Sequence, residues 1–203
     1  MVYNKTDKVK EKQQMRSKKI IKAAREILSE KNMEKVSIKS IAQKAGIATG
    51  TFYLYFTDKE TLIDTVIQEI YNELLDQIKK ERTKYTNNFD KLQATMKVCI
   101  NLFLKEKNLA RVLLFDFPQK NTVLNAKYTD IENDLIRLTK IDLDELLDQD
   151  LIPKQDTQVS ATAFVGTFRE VILSWISHGE PLESELSFQT LIEFNMRGIG
   201  RDF

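Results

Sequence analysis

The stretch Val36-Ser-Ile-Lys-Ser-Ile-Ala-Gln-Lys-Ala-Gly-Ile-Ala-Thr-Gly-Thr-Phe-Tyr-Leu-Tyr-Phe56 decides how the rest of the chain is read. Ser37 stands where a side-chain oxygen can cap the first turn of a helix. Gly46, eight residues past the expected helix start, can end it in a left-handed conformation. A further short helix is expected over Thr49–Tyr55. Ile38, Ile41, Ala42, Ala45, Ile47 and Phe52 are spaced to close a miniature core between the two, and Ala42 is small where helices must cross closely. Two short helices joined at a glycine turn form a helix-turn-helix: the second enters a major groove and the first braces it against the backbone.

The flanking sequence extends this pattern. Upstream, Arg16–Lys31 places Ile20, Ile21, Ala24, Ile27 and Leu28 on one helical stripe, and Asn32 can cap its end. Residues 1–15 are charged without an apolar face and are expected to form a flexible basic arm. Downstream, Thr57-x-x-Glu60 has the form of a capping box, with Asp58 as the competing cap. The stripe Leu62, Ile63, Val66, Ile67, Ile70, Tyr71, Leu74, Leu75, Ile78 then runs on too far for a small head alone. Later helices are expected near Phe89–Lys105, Asn108–Phe115, Val123–Asp148, Asp156–His178 and Glu183–Arg197, with Pro118, Pro153 and Pro181 between them. The expected fold is all-α: a three-helix head over residues 16–60 joined by a long helix to a helical body over 61–203.

Composition removes several alternatives. With 203 residues, 42% hydrophobic and 30% charged, the chain can bury a core and is not a disordered polymer. No apolar run approaches a membrane span, and Met1–Lys19 is too polar for a signal-peptide core. The single Cys99 cannot form an intramolecular disulfide, which fits a cytoplasmic protein. The single His178 excludes paired-histidine zinc motifs. Asp142, Asp144, Asp148 and Asp150 lack the glycine of a calcium loop and read as a solvated face, so neither metal nor cofactor is expected. Residues 1–60 hold 14 Lys and Arg against 7 Asp and Glu, whereas residues 61–203 hold 17 against 23. A basic head on an acidic body implies that the head meets a polyanion.

Ile41-Ala-x-x-Ala-Gly-Ile47, Gly50-Thr-Phe-Tyr-x-Tyr-Phe56 and Asp58-Lys-Glu-x-Leu62 together resemble the TetR (tetracycline-repressor type) family of transcriptional regulators. The resemblance runs over about Ile20–Leu75 and is densest at Val36–Leu62. It implies a ligand-responsive regulator, usually a repressor and not an enzyme, that binds a palindromic double-stranded operator as a homodimer and is released by a small-molecule effector. Carried over by position, it implies DNA contacts from Thr49, Gly50, Thr51, Tyr53, Tyr55 and Lys59, with Lys39 and Lys44 as backbone contacts. Gly50 leaves room for close backbone approach, the threonines offer hydroxyls and methyls, and the α-helix beginning near Lys59 offers amides to a phosphate. Phe52 and Phe56 read as core of the head. Two departures stand out. Ala48 occupies a place where the family often has a Ser or Thr cap, and the recognition helix lacks the Arg, Asn or Gln that read bases bidentately. The competing reading is a helical protein–protein adaptor that kept a helix-turn-helix head without sequence-specific DNA binding.

In the body, Asp156–His178 is apolar on more than one side and carries Ser160, Ala161, Ala163, Gly166 and Thr167, small enough for a close helix neighbour. With Leu186, Phe188, Leu191, Ile192, Phe194 and Met196 downstream, it matches the two helices through which the resembled family dimerises. Met96, Cys99, Phe103, Phe115, Phe117, Phe164, Phe168 and Trp175 are candidates to line an effector pocket, with Arg169 or Glu170 as its polar anchor. The same set also reads as plain core.

Overall fold

The computed structural model describes residues 5–30, 36–111, 122–178 and 185–201, and every regular element among them is a helix. In chain order these are α1 (Lys5–Glu30), α2 (Ile38–Ala45), α3 (Thr49–Phe52), α4 (Lys59–Arg82), α5 (Asn88–Lys105), α6 (Lys107–Arg111), α7 (Thr122–Asp148), α8 (Thr157–His178) and α9 (Glu185–Gly198). The chain divides into two units, Met1–Ile70 and Tyr71–Phe203.

The head forms around an interior that the stripes specify. Ile20, Ala24 and Leu28 of α1, Ile41 and Ala42 of α2, Phe52 of α3, and Leu62, Ile63 and Val66 of α4 are all buried. The expected boundary at residue 60 therefore moves to Ile70, because the first three turns of α4 supply part of this core. The basic arm is also revised: α1 is already helical from Lys5. Residues 5–19 contain no Gly or Pro and are rich in Lys, with Gln, Arg, Glu and Met among the rest, so a helix anchored by Ile20 propagates backwards on propensity alone. An apolar stripe is not required for that. The suggested cap at Asn32 lies outside the described residues.

In the body, α7 packs along α8, α5 lies against α7 and α9, and α8 against α9. Leu92, Met96 and Ile100 of α5, Leu143 and Leu146 of α7, Ala161 and Phe164 of α8, and Leu191, Ile192 and Met196 of α9 meet in one apolar interior. Polar ties flank it. The Tyr71 hydroxyl donates to Asp134 at 2.5 Å, and Arg82 of α4 grips Asp142 of α7. The aspartate run thus is not a uniformly solvated face. Asp142 is buried by the apolar periodicity of α7, which sets Asp142 beside Leu143 and Leu146 and turns it toward Arg82. Asp144 accepts hydrogen bonds from Lys140 and from the Thr157 hydroxyl, which hold its carboxyl below the usual range. No group of His, Cys, Asp and Glu among the described residues is placed to hold a metal ion, and no described helix is long and apolar enough to cross a membrane.

Candidate nucleic-acid interface and effector site

The helix-turn-helix is assembled by local chemistry. The Ser40 amide donates to the Ser37 hydroxyl at 3.1 Å, and the Ser37 amide donates to the Ser40 hydroxyl at 3.1 Å, a reciprocal cap for α2. At its other end Gly46 takes φ +68°, and its amide with that of Ile47 closes the last turn onto Gln43 and Ala42. No side-chain bond caps α3 at Ala48, which is the departure noted in the sequence. The Ala48 carbonyl nevertheless receives the Thr51 amide at 2.9 Å. Hydrogen bonds continue beyond Phe52, from Leu54 to Thr51 and from Tyr55 and Phe56 to Phe52, so the turn is helix-like through Phe56. At the start of α4 the competition between caps is resolved for Asp58: its carboxylate accepts the Thr61 amide at 2.7 Å and the Thr57 hydroxyl at 3.0 Å. Both bonds favour the ionised form and lower the Asp58 pKa.

These constraints sort the expected DNA contacts. Lys39, Thr49, Gly50 and Tyr53 are exposed; Thr51 and Tyr55 are half-buried. Phe52 and Phe56 are buried, and Tyr53 meets the Phe52 ring edge-on at 5.5 Å between centroids. A methyl added at Gly50 would meet nothing within 4 Å, so the fold itself does not demand glycine there. Lys44 is exposed and reaches across the surface to α1, 3.3 Å from Glu26 and 3.4 Å from Glu30, and these carboxylates raise its pKa. Lys59 donates to the Val36 carbonyl at 3.4 Å and so ties α4 to the start of α2. Both lysines therefore hold the head together as well as carrying charge. Leu54 is a further exposed residue that the motif passes over as a variable position; its offset of four from Gly50 is the signal that places both on one face.

The effector candidates fall in the body. Met96 and Phe164 belong to the main interior, and Phe103 pairs with Ile172 in a smaller cluster. Phe168 and Trp175 pack against both clusters and so join them. Trp175 meets Phe188 edge-on, with ring centroids 5.5 Å apart. Cys99 is partly buried, and its apolar surroundings push the thiol up to about 12, which leaves it un-ionised at neutral pH. Phe115 and Phe117 lie outside the described residues. Of the two suggested anchors, Glu170 is exposed and Arg169 half-buried. A groove of about 500 Å³ opens between α8 and α9, lined by Val171, Trp175, Leu186, Leu191 and Phe194 among others. Of its lining residues, Leu186 and Phe194 are each more than 60% exposed, as is Val159 near the start of α8.

Residues 20–66 match the family described as "Bacterial regulatory proteins, tetR family". Over 181 residues the chain is 24% identical to the fatty acid metabolism regulator protein of Bacillus subtilis, covering 89% of this chain and 93% of that one. An HTH-type transcriptional regulator of the same organism, YvdT, is 51% identical over 61 residues, 30% of this chain and 31% of YvdT. Among solved structures, the fatty acid degradation regulator FadR of Bacillus halodurans superposes with a TM-score of 0.77 at 24% identity, over 92% of this chain and 97% of that one. FadR of Bacillus subtilis, solved in complex with stearoyl-CoA, gives 0.76 at 24% identity over 89% and 98%.

Proposed function

We propose that this chain is a member of the tetR family of bacterial regulatory proteins, a cytoplasmic repressor whose homodimer leaves a palindromic operator when a long-chain acyl-CoA enters the body. The observation that carries the DNA-binding part is the outer face of α3. Thr49, Gly50 and Tyr53 stand exposed on a turn whose opposite side is locked by Phe52 and Phe56, within the first sixty residues, which carry a strong basic surplus. One short recognition helix binds weakly, whereas two held by a two-fold axis read half-sites one helical turn apart. The exposed Leu186 and Phe194, together on the α8–α9 groove, offer an apolar patch to that second copy. The similarity over most of the chain to the fatty acid metabolism regulator, and the superposition on FadR solved with stearoyl-CoA, favour an acyl-CoA over other effectors. The body's apolar interior, joined through Phe168 and Trp175, suits an aliphatic chain.

Effector binding lowers operator affinity if it favours a subunit arrangement with the heads at the wrong separation for successive major grooves. Linkage then requires the operator to weaken effector binding by the same factor. The test is to incubate purified protein with sheared DNA of its own genome, sequence the bound fragments, and titrate the enriched duplex with and without stearoyl-CoA. Enrichment of one or a few palindromes, a steep fall of affinity with salt and release by acyl-CoA are expected. Binding no tighter than to bulk DNA, on protein refolded free of ligand, would instead favour the adaptor reading. Specific binding untouched by acyl-CoA would remove the effector assignment alone.

A further inference from the structure

Leu54 is 79% exposed, more than any other large apolar side chain among the described residues. The Leu54 amide donates to the Thr51 carbonyl at 3.2 Å, and those of Tyr55 and Phe56 to Phe52, so Leu54 stands one tight turn beyond Thr51 and offset by two residues from the buried Phe52 and Phe56. A methyl added at Gly50 would meet nothing within 4 Å, so the start of the same turn is also open. From Ala48 to Phe56 there is no charged, Asn or Gln side chain. Such a face cannot distinguish bases by the bidentate hydrogen bonds that Arg, Asn and Gln make. One base-edge feature of the major groove is apolar, the 5-methyl group of thymine, and it marks an A·T pair and its orientation. We propose that Leu54 is a specificity-determining residue that reads a thymine methyl in each half-site. This rests on the operator-binding reading above.

The experiment takes the duplex selected from the genome and replaces its thymines by deoxyuridine, one symmetric pair of positions at a time, which removes the methyl and leaves base pairing intact. Affinities are measured by fluorescence anisotropy for the full-length wild type and for Leu54→Ala. At one thymine of each half-site the wild type should lose about fourfold per half-site, the equivalent of one buried methyl group. Leu54→Ala should bind the normal duplex more weakly and be indifferent to deoxyuridine at that position, so that the two changes are not additive. Its thermal unfolding should match the wild type, because the side chain lies outside the core. Equal affinity of the wild type for every substituted duplex would overturn the proposal. So would a Leu54→Ala variant that still suffers the full deoxyuridine penalty, which would move the contact to another side chain such as Thr49. If no duplex is selected at all, the operator-binding reading fails first, and that outcome is distinct from specific binding that ignores thymine methyls.

Discussion

Arg82 and Asp142, sixty residues apart in sequence, are joined by two hydrogen bonds of 2.6 and 2.7 Å, with their side chains only 14% and 2% exposed. A third bond from Arg82 reaches the Thr95 hydroxyl, so the last turn of α4 is fixed to both α7 and α5. Removing the guanidinium strands a buried carboxylate. Arg82→Met should therefore cost about 3–5 kcal/mol of folding stability, while Arg82→Met with Asp142→Leu recovers most of it. Denaturant titration of the single and double variants measures this. Burial raises the Asp142 pKa and Arg82 opposes the rise. Without Arg82 the folded pKa climbs further, so the variant's deficit should shrink as pH falls toward the unfolded carboxyl value, where both states hold the proton. A deficit that grows on acidification would contradict this account.

Lys44 and Lys39 should separate in their dependence on salt. A lysine that neutralises a phosphate contributes about one to the slope of log affinity against log salt per contact. Both lysines are exposed, but Lys44 is shared between Glu26 and Glu30. Lys39→Met should flatten the slope by about one per subunit, and Lys44→Met by clearly less. Equal changes would mean that Lys44 abandons its carboxylates on DNA.

Gly50→Ala tests a position that the folded chain leaves open. Glycine inside a helix is roughly 0.5–1 kcal/mol less favourable than alanine, and no neighbour blocks the added methyl. The variant should melt at the same or a slightly higher temperature yet bind operator about tenfold more weakly, a loss of ~1.4 kcal/mol. Unchanged DNA affinity would show that the backbone at Gly50 does not approach the duplex.

These three cases also show which parts of the chain were legible in its sequence. Ser37, Gly46 and Asp58 act on groups within five residues, and their roles follow from local spacing. The burial of Phe52 and Phe56 follows from periodicity in the same way. The partners of Lys44 lie 14 and 18 residues upstream, and the carboxylate partners of Arg82 and Tyr71 about sixty residues downstream. No local pattern encodes such pairs, because they depend on how helices are laid together. The helical start at Lys5 was missed for a different reason: the apolar stripe marks which part of a helix is packed, and not how far it continues.

Asp58→Asn isolates the charge of the α4 cap. Bonds from Thr61 and Thr57 lower the Asp58 pKa, so its contribution is present above the unfolded carboxyl value and is lost as pH falls through the folded one. Asparagine retains an oxygen acceptor but cannot titrate. The variant should match the wild type closely below that window and fall behind it above, as followed by thermal melts across acidic pH. Parallel pH profiles would remove the charge from the account.

Phe194→Glu places a carboxylate on the apolar side of α9 without touching the body interior, since Phe194 is 63% exposed. Sedimentation velocity should show the wild type as a dimer at micromolar concentration and the variant shifted to monomer, with its helical signal intact. Operator binding should fall with it, because each monomer presents only one recognition helix. A variant that remains dimeric would place the two-fold contact on another surface.

Trp175 is the only tryptophan of the chain, and it stands edge-on to Phe188, against both body clusters and along the α8–α9 groove. The protein therefore carries a single built-in chromophore where effector entry and subunit association would both change its surroundings. Excited at the red edge, beyond tyrosine absorption, its emission comes from one known position in the unmodified chain. The spectral response of the body can be recorded optically while the operator is titrated, with no dye attached to either partner.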